Sequence, residues 1–330
     1  MAKTTDDVAK SRDRRDAIVK HFGFIPESIL KHDPSDRAID LLVDEHGRDY
    51  ASTFHQPENV AREFGKVTAE ERNKQTYYLS GAGARWGALS RFPQKVGRAL
   101  LRLYTDRGMT VVDPFAGHNS RMQLCYCSGR NYIGCDISHA FMEANFKLRE
   151  MLLGGNAEQL EGMSSLNKAT IELHEVDSRL MNHCDKCVKD GRRIEGSDCK
   201  HPVKSNVGDF TITSPPYWDL EYYGDEMGQL GKDNDYPEFL RRLGDVAKQN
   251  FRCLKSGAFC VWCINDFRKD GKFYAYHIHT AQLLRDAGFK QHDCAIIDLG
   301  GSFGQAFASQ IIDNKILPKR HEYALIFVKP

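Results

Sequence analysis

From about Tyr77 the chain reads as short apolar runs, of roughly four to eight residues, alternating with stretches whose apolar residues recur at helical spacing. That alternation is the pattern of parallel βαβ units. A helix is predicted from Pro93, with Val96, Leu100, Leu103 and Tyr104 on one face. It leads into a strand at 110–113, and Gly129 precedes a second strand at 132–136. Further strands are predicted at 170–176 and 210–213. The next helix is signalled from both ends: Asp235 can cap it, Pro237 suits its first turn, and Phe239, Leu240, Leu243, Ala247, Phe251 and Leu254 form its apolar stripe. Gly257 opens a strand at 258–264, and two closing strands at 293–299 and 322–328 flank a loop containing Gly300, Gly301, Ser302 and Gly304. Residues 1–75 differ. They are rich in charge and carry helical fragments, such as 38–43, separated by Pro34 and Pro57, and read as a mostly helical accessory segment beside a main domain at 76–330.

Composition narrows this picture only in places. A chain of 330 residues with 41% apolar residues supports one large α/β domain and its accessory segment. A formal charge of +1 neither requires nor excludes nucleic acid, so such a partner would be held by a local basic face. No apolar run approaches a membrane span, and residues 1–16 are charged without an apolar signal core, so the expected location is the cytoplasm, with no membrane partner. Ten cysteines in a reducing compartment are expected to be core residues or metal ligands rather than a disulfide framework.

The first candidate chemistry lies in Val111-Val112-Asp113-Pro114-Phe115-Ala116-Gly117-His118-Asn119-Ser120, an apolar strand ending in an acid, then a turn and a helix start. In a parallel sheet this places Asp113 and Gly117 at the carboxyl edge, where ligands bind. Gly117 lets backbone approach a ligand closely, and free N–H groups at the next helix face its polar tail. Asp136 ends the next strand about 20 residues on, where a ribose-binding carboxylate is expected. Asp177, after the third strand, is a candidate for an adenine amino group, although acids at strand ends are as often solvated.

The most specific signal is Phe210-Thr211-Ile212-Thr213-Ser214-Pro215-Pro216-Tyr217-Trp218. Two prolines hold the turn extended. The carbonyls of Ser214 and Pro215 and the Ser214 hydroxyl can then accept hydrogens from an amino group, and Tyr217 can stack on a base. Fixed acceptors that favour a pyramidal nitrogen assist attack by an amine whose lone pair is delocalised.

These residues resemble the amino-methylating DNA methyltransferases, whose signature is Ser, Asp or Asn before Pro-Pro and an aromatic residue. The Asp113-Pro114-Phe115-Ala116-Gly117 run is similar to that family's cofactor motif, Arg91-Phe92-Pro93 resembles its cofactor-tail motif, and the strand beginning His321-Glu322-Tyr323 resembles its last strand. The likeness spans 77–330. It implies an α/β, Rossmann-like class I S-adenosylmethionine-dependent methyltransferase fold, with a seven-stranded, mostly parallel sheet and an antiparallel last strand. It also implies base flipping on double-stranded DNA. Phe92, Pro93, Asp113, Phe115, Ala116, Gly117, Asn119, Asp136, Ile137, Asp177 and Ser214 become the expected cofactor residues, and Ser214, Pro215, Pro216 and Tyr217 the catalytic ones. The chain departs from the family's Gly-Ser-Gly-Thr at Gly117-His118-Asn119-Ser120, although Asn119 tolerates left-handed backbone. Serine before Pro-Pro-Tyr resembles the cytosine-N4 branch, with adenine N6 as the alternative. Methylation of RNA or a glutamine amide, and a catalytically silent nucleic-acid-binding regulator, are further readings. Methylation at cytosine carbon 5 is set aside because no proline is followed by cysteine.

Within a polar insertion at 179–204, His183-Cys184-Asp185-Lys186-Cys187 is followed after eleven residues by Cys199-Lys200-His201. Such a loop lacks apolar material for a core, and a tetrahedral zinc held by Cys184, Cys187, Cys199 and His201 would supply one. A loop with free thiols is the other reading. Seven Lys/Arg against four Asp/Glu make the insertion mildly basic, suited to phosphate or simply to solvent. Cys260-Val261-Trp262-Cys263 has metal-like spacing, yet on a strand its thiols face opposite ways and read as core.

Overall fold

The computed structural model describes residues 16–21, 26–31, 92–117, 120–154, 169–182, 203–221, 223–233, 235–299, 312–317 and 319–330. Ten strands are assigned among them: β1 (Ile29–Lys31), β2 (Thr110–Asp113), β3 (Asn131–Asp136), β4 (Ile171–Glu175), β5 (Gly208–Thr213), β6 (Leu254–Ile264), β7 (Phe267–Lys269), β8 (Lys272–Tyr274), β9 (Lys290–Asp298) and β10 (His321–Val328). The principal helices are α1 (Gln94–Tyr104), α2 (Ser120–Cys127), α3 (His139–Gly154), α4 (Tyr236–Cys253) and α5 (Tyr276–Asp286).

Eight strands form one sheet in the order β1-β9-β10-β6-β5-β2-β3-β4, while β7 and β8 form a separate hairpin. All pairings in the large sheet are parallel except those of β10, which runs antiparallel to both β6 and β9. This is a Rossmann-like, doubly wound fold with an antiparallel last strand. Its order reverses direction between β2 and β5, and in a doubly wound sheet the crevice at such a point receives the ligand. The pattern implied seven strands; the eighth is β1, from the segment read as accessory. It pairs with β9 through Ile29↔Ile296 and Leu30↔Ile297, and Leu30 packs on the core. Three residues are too few to carry a period-two signal, which is why the pattern does not reveal it.

Helices cover both faces. Val96, Leu100 and Leu101 of α1, Met122 and Leu124 of α2 and Met142 of α3 pack on one face, with Val111, Phe210 and Ile326 of the sheet. Phe239, Leu243 and Ala247 of α4 and Leu284 of α5 pack on the other, with Trp262, Leu325 and Phe327. Apolar residues on both sides of the central strands are what a sheet covered twice requires. Cys260 and Cys263 are buried on opposite faces, as the alternation of a strand dictates. The Asp235 cap forms, its Oδ1 accepting from Glu238 N at 2.8 Å. The helix it starts ends at Cys253, so Leu254 opens β6 instead of closing the apolar stripe, and the strand passes through the left-handed Gly257 (φ 80°). No described helix is long and apolar enough to cross a membrane.

Candidate active site

At the carboxyl ends of β2, β3 and β5 lies a cleft of about 1050 Å³, mouth included. Phe92, Pro93, Phe115, Gly117, Asp136, Ile137 and Asp177 line it, and so do all four residues Ser214, Pro215, Pro216 and Tyr217. Two motifs a hundred residues apart therefore open into one space.

Asp113 and Ala116 do not line it. Ala116 is buried behind the turn, its N–H bonded to Cys135 O at 2.8 Å. Asp113 is fully buried, and its carboxylate is taken up by protein donors. Arg121 Nε and Tyr132 Oη donate to Oδ2 at 2.6 and 2.9 Å, while Thr213 Oγ1 and Phe115 N donate to Oδ1 at 2.6 and 3.2 Å. Because Thr213 immediately precedes Ser214, this carboxylate ties the end of β2 to the Ser214–Tyr217 turn. Arg121 also donates to Phe115 O and lies 5.3 Å over the Phe92 ring. Asn119 lies outside the described residues, as do Cys184, Cys187, Cys199 and His201. Among the described residues no group of three or more His, Cys, Asp or Glu could hold a metal.

Asp136 does face the cleft. Its Oδ2 accepts from Gly117 N at 2.8 Å and its Oδ1 from Ser138 N at 2.9 Å. Burial pushes its carboxyl up to about 6, a rise that the two backbone donors partly oppose. Gly117 has φ 51°, where a side chain would be strained, and Asn145 Nδ2 holds its carbonyl at 2.8 Å. Ser178 Oγ donates to Pro114 O, so the turn is fixed from both sides. Asp177 caps a one-turn helix, Ser178–Leu180, and pairs with Arg179 at 2.5 Å. Opposite it, Gly228 adopts φ 105°, and a Cβ there would meet Asp177 Oδ2 at 2.8 Å and Ile137 at 3.1 Å. Only glycine lets this segment lie so close, and Arg242 of α4 anchors its carbonyl at 2.7 Å.

The Ser214–Tyr217 turn is held by aromatic residues. Tyr276 Oη donates to Pro216 O at 3.0 Å, and the Tyr217 and Tyr276 rings meet edge to face at 6.0 Å. Tyr217 N donates to Tyr223 Oη, which donates in turn to Glu221 Oε2 at 2.5 Å. Trp218 is 7% exposed and has φ 51°, a sparse region for a bulky residue. Its Nε1–H donates to Asp233 O at 3.0 Å, which locks the reversal after Tyr217.

No motif reveals Arg121, Asn145, Glu221, Tyr223, Gly228 or Glu322. For Glu322 the available signal is an acid inside the apolar strand His321–Val328. It lines the cleft, and burial, with the nearby Glu221 charge, pushes its carboxyl up to about 7.

The doubly wound sheet thus brings a carboxylate at the end of β3 and a fixed glycine turn at the end of β2 to one cleft, the place where such sheets receive nucleotide-type ligands. Residues 25–147 match the model of the DNA methylase family that covers N6 and N4 methyltransferases. The orphan methyltransferase M.BamHII of Bacillus amyloliquefaciens is 27% identical over 100 residues, 29% of this chain and 33% of that one. The type II methyltransferase M.SmaI of Serratia marcescens is 30% identical over 88 residues, 25% of this chain and 30% of that one. The chain thus spans about a third of these curated relatives. A Thermus thermophilus protein described as a DNA modification methylase, solved with S-adenosyl-L-methionine, is 26% identical over 38% of this chain and 49% of its own, with a TM-score of 0.30.

Proposed function

We propose that the protein transfers a methyl group from S-adenosylmethionine to an exocyclic amino nitrogen of a base in double-stranded DNA, with cytosine N4 as the target. The observation that carries this reading is the shared cleft, in which the Gly117 turn and Asp136 face Ser214-Pro-Pro-Tyr217 across a buried Asp113 link. The residues fit the cofactor. Asp136 offers a carboxylate to a ribose diol, Ile137 and Phe141 offer an apolar wall to a purine, and Phe92 and Pro93 line the same cleft.

When bound, S-adenosylmethionine supplies an electrophilic methyl on a positively charged sulfur. The chain's own part is to hold the amine. Ser214 and the Pro215 carbonyl accept its hydrogens, and Tyr217 stacks on the flipped base. The amine must also shed a proton, and Glu322, held near neutrality, is a carboxylate suited to take it. Serine rather than aspartate before Pro-Pro supports cytosine over adenine.

Digesting DNA modified by the protein to nucleosides and weighing them tests the product: N4-methylcytosine is expected. N6-methyladenine alone would move the target base and leave the amine chemistry intact, while label found only in RNA or protein would remove the DNA reading. Ser214→Ala should slow turnover, and Tyr217→Ala should also loosen substrate binding by about 1–3 kcal/mol through lost stacking.

Zinc at Cys184, Cys187, Cys199 and His201 belongs to the same proposal, on ligand spacing alone. Elemental analysis of purified protein should find about one zinc per chain. Metal-free protein whose 179–204 segment resists protease would refute it.

A further inference from the structure

The hairpin β7–β8 lies beside the cleft and is tied to the catalytic turn. It follows directly from the carboxyl end of β6, and the Tyr276 that holds Pro216 comes two residues after it. Lys269 pairs with Asp219 and stands 4.5 Å over the Trp218 ring, while Tyr274 packs against Trp218 at 5.6 Å. Asp270 (φ 49°) and Gly271 (φ 76°) form a tight two-residue turn with both dihedrals positive, the form that matches strand twist. The loop is therefore preformed.

Its outward face is unusual. Phe267 and Tyr274 stack inward at 5.1 Å, so their neighbours Arg268 and Phe273, a directly opposed pair, point the other way. Phe273 is 50% exposed, with the Arg268 guanidinium 5.2 Å and the Lys319 ammonium 5.1 Å from its ring centre. On the other face, at the hairpin's end, Lys269 and Lys272 stand directly opposite each other, an arrangement that weakens a hairpin on its own. Asp219 neutralises Lys269, while Lys272 is exposed. Lys319 Nζ is buried and has no hydrogen-bond partner among the described residues; burial, with Arg268 close by, pulls its ammonium down to about 8. Cations crowded round an exposed ring, on a rigid loop beside a catalytic cleft, complement a polyanion whose bases offer stacking faces.

We infer that this hairpin docks the phosphodiester backbone of duplex DNA next to the flipped base, with Arg268 and Lys272 on phosphates and Phe273 against the exposed base stack. The inference rests on the DNA reading above. It is tested by anisotropy with a random-sequence DNA duplex over a salt series. Arg268→Ala/Lys272→Ala should weaken binding about tenfold at low salt and flatten the log–log salt slope by about 2. Phe273→Ala should weaken binding and leave the slope unchanged. Cofactor affinity by calorimetry should stay at the wild-type value in both, and Lys290→Ala, at the start of β9, should alter neither binding nor slope. Wild-type affinity and slope in the double variant, with a wild-type protein that does bind and methylate DNA, would overturn the docking role alone. A wild-type protein that neither binds nor modifies DNA would overturn the functional reading with it, and a slope change confined to RNA would overturn the choice of partner.

Discussion

Asp113→Ala should cost the fold about 3–5 kcal/mol, the range for removing one partner of a buried ion pair. The Asp113 carboxylate is fully buried and receives four donors, two of them from Arg121 and Tyr132 at 2.6 and 2.9 Å. Truncation would leave the nearly buried Arg121 guanidinium without its counter-charge and the Thr213 and Tyr132 hydroxyls without an acceptor. Asparagine should be little better, because its amide N–H would face donors where the carboxylate faced them as acceptor. Urea unfolding would report the loss as a lower midpoint at unchanged slope. Adding Arg121→Leu to Asp113→Ala should recover part of it, since a buried pair replaced on both sides removes the stranded charge. A variant that kept wild-type stability and lost only cofactor affinity would return Asp113 to the role its motif suggested, that of a ligand residue.

Asp113 also marks where sequence reasoning stops. An acid at the end of β2 is legible from an apolar run that ends in Asp-Pro, but its depth is not. Nothing in the local pattern says that Arg121, eight residues on, turns back to it, or that Thr213 reaches it from a hundred residues away. The parallel strands, the Asp235 cap and the opposed faces of Cys260 and Cys263 were legible because each rests on a period or a cap within one element. Asp136 was legible because the spacing from β2 to β3 is set by one helix between them. Glu322 reaches the cleft through the strand order β10-β6-β5-β2, and Gly228 and Tyr223 reach it because the segment after β5 lies against Asp177 and Tyr217, both tertiary properties. The gap between motif and site is thus made of residues that act through neighbours distant in sequence.

Asp136→Ala should weaken S-adenosylmethionine binding roughly ten- to hundredfold, the equivalent of one charge-assisted hydrogen bond of about 1.5–3 kcal/mol. Its carboxylate ends β3, faces the cleft and is already oriented by Gly117 N and Ser138 N, so a ribose diol would meet an acceptor that needs no rearrangement. The pH dependence follows from the same residue. Asp136 titrates at about 6 and Glu322 at about 7, both raised chiefly by burial. A carboxyl whose pKa is higher folded than unfolded holds more protons in the fold. Its contribution to stability is complete below its unfolded value and is lost as pH rises through its folded one. Ligand-free protein should therefore melt at a lower temperature as pH climbs through about 6 to 7. A cationic cofactor should bind more tightly over that interval, because it meets ionised carboxylates, and so should restore part of the lost melting temperature. Asp136→Asn should keep the shape of the turn and flatten the lower part of the rise, and Glu322→Gln should flatten the upper part. S-adenosylhomocysteine, which lacks the sulfur charge, should follow a shallower curve. Calorimetry on either side of neutrality decides the matter: a folded Asp136→Ala protein with wild-type affinity would end the ribose assignment, and affinity that falls as pH rises would end the electrostatic one.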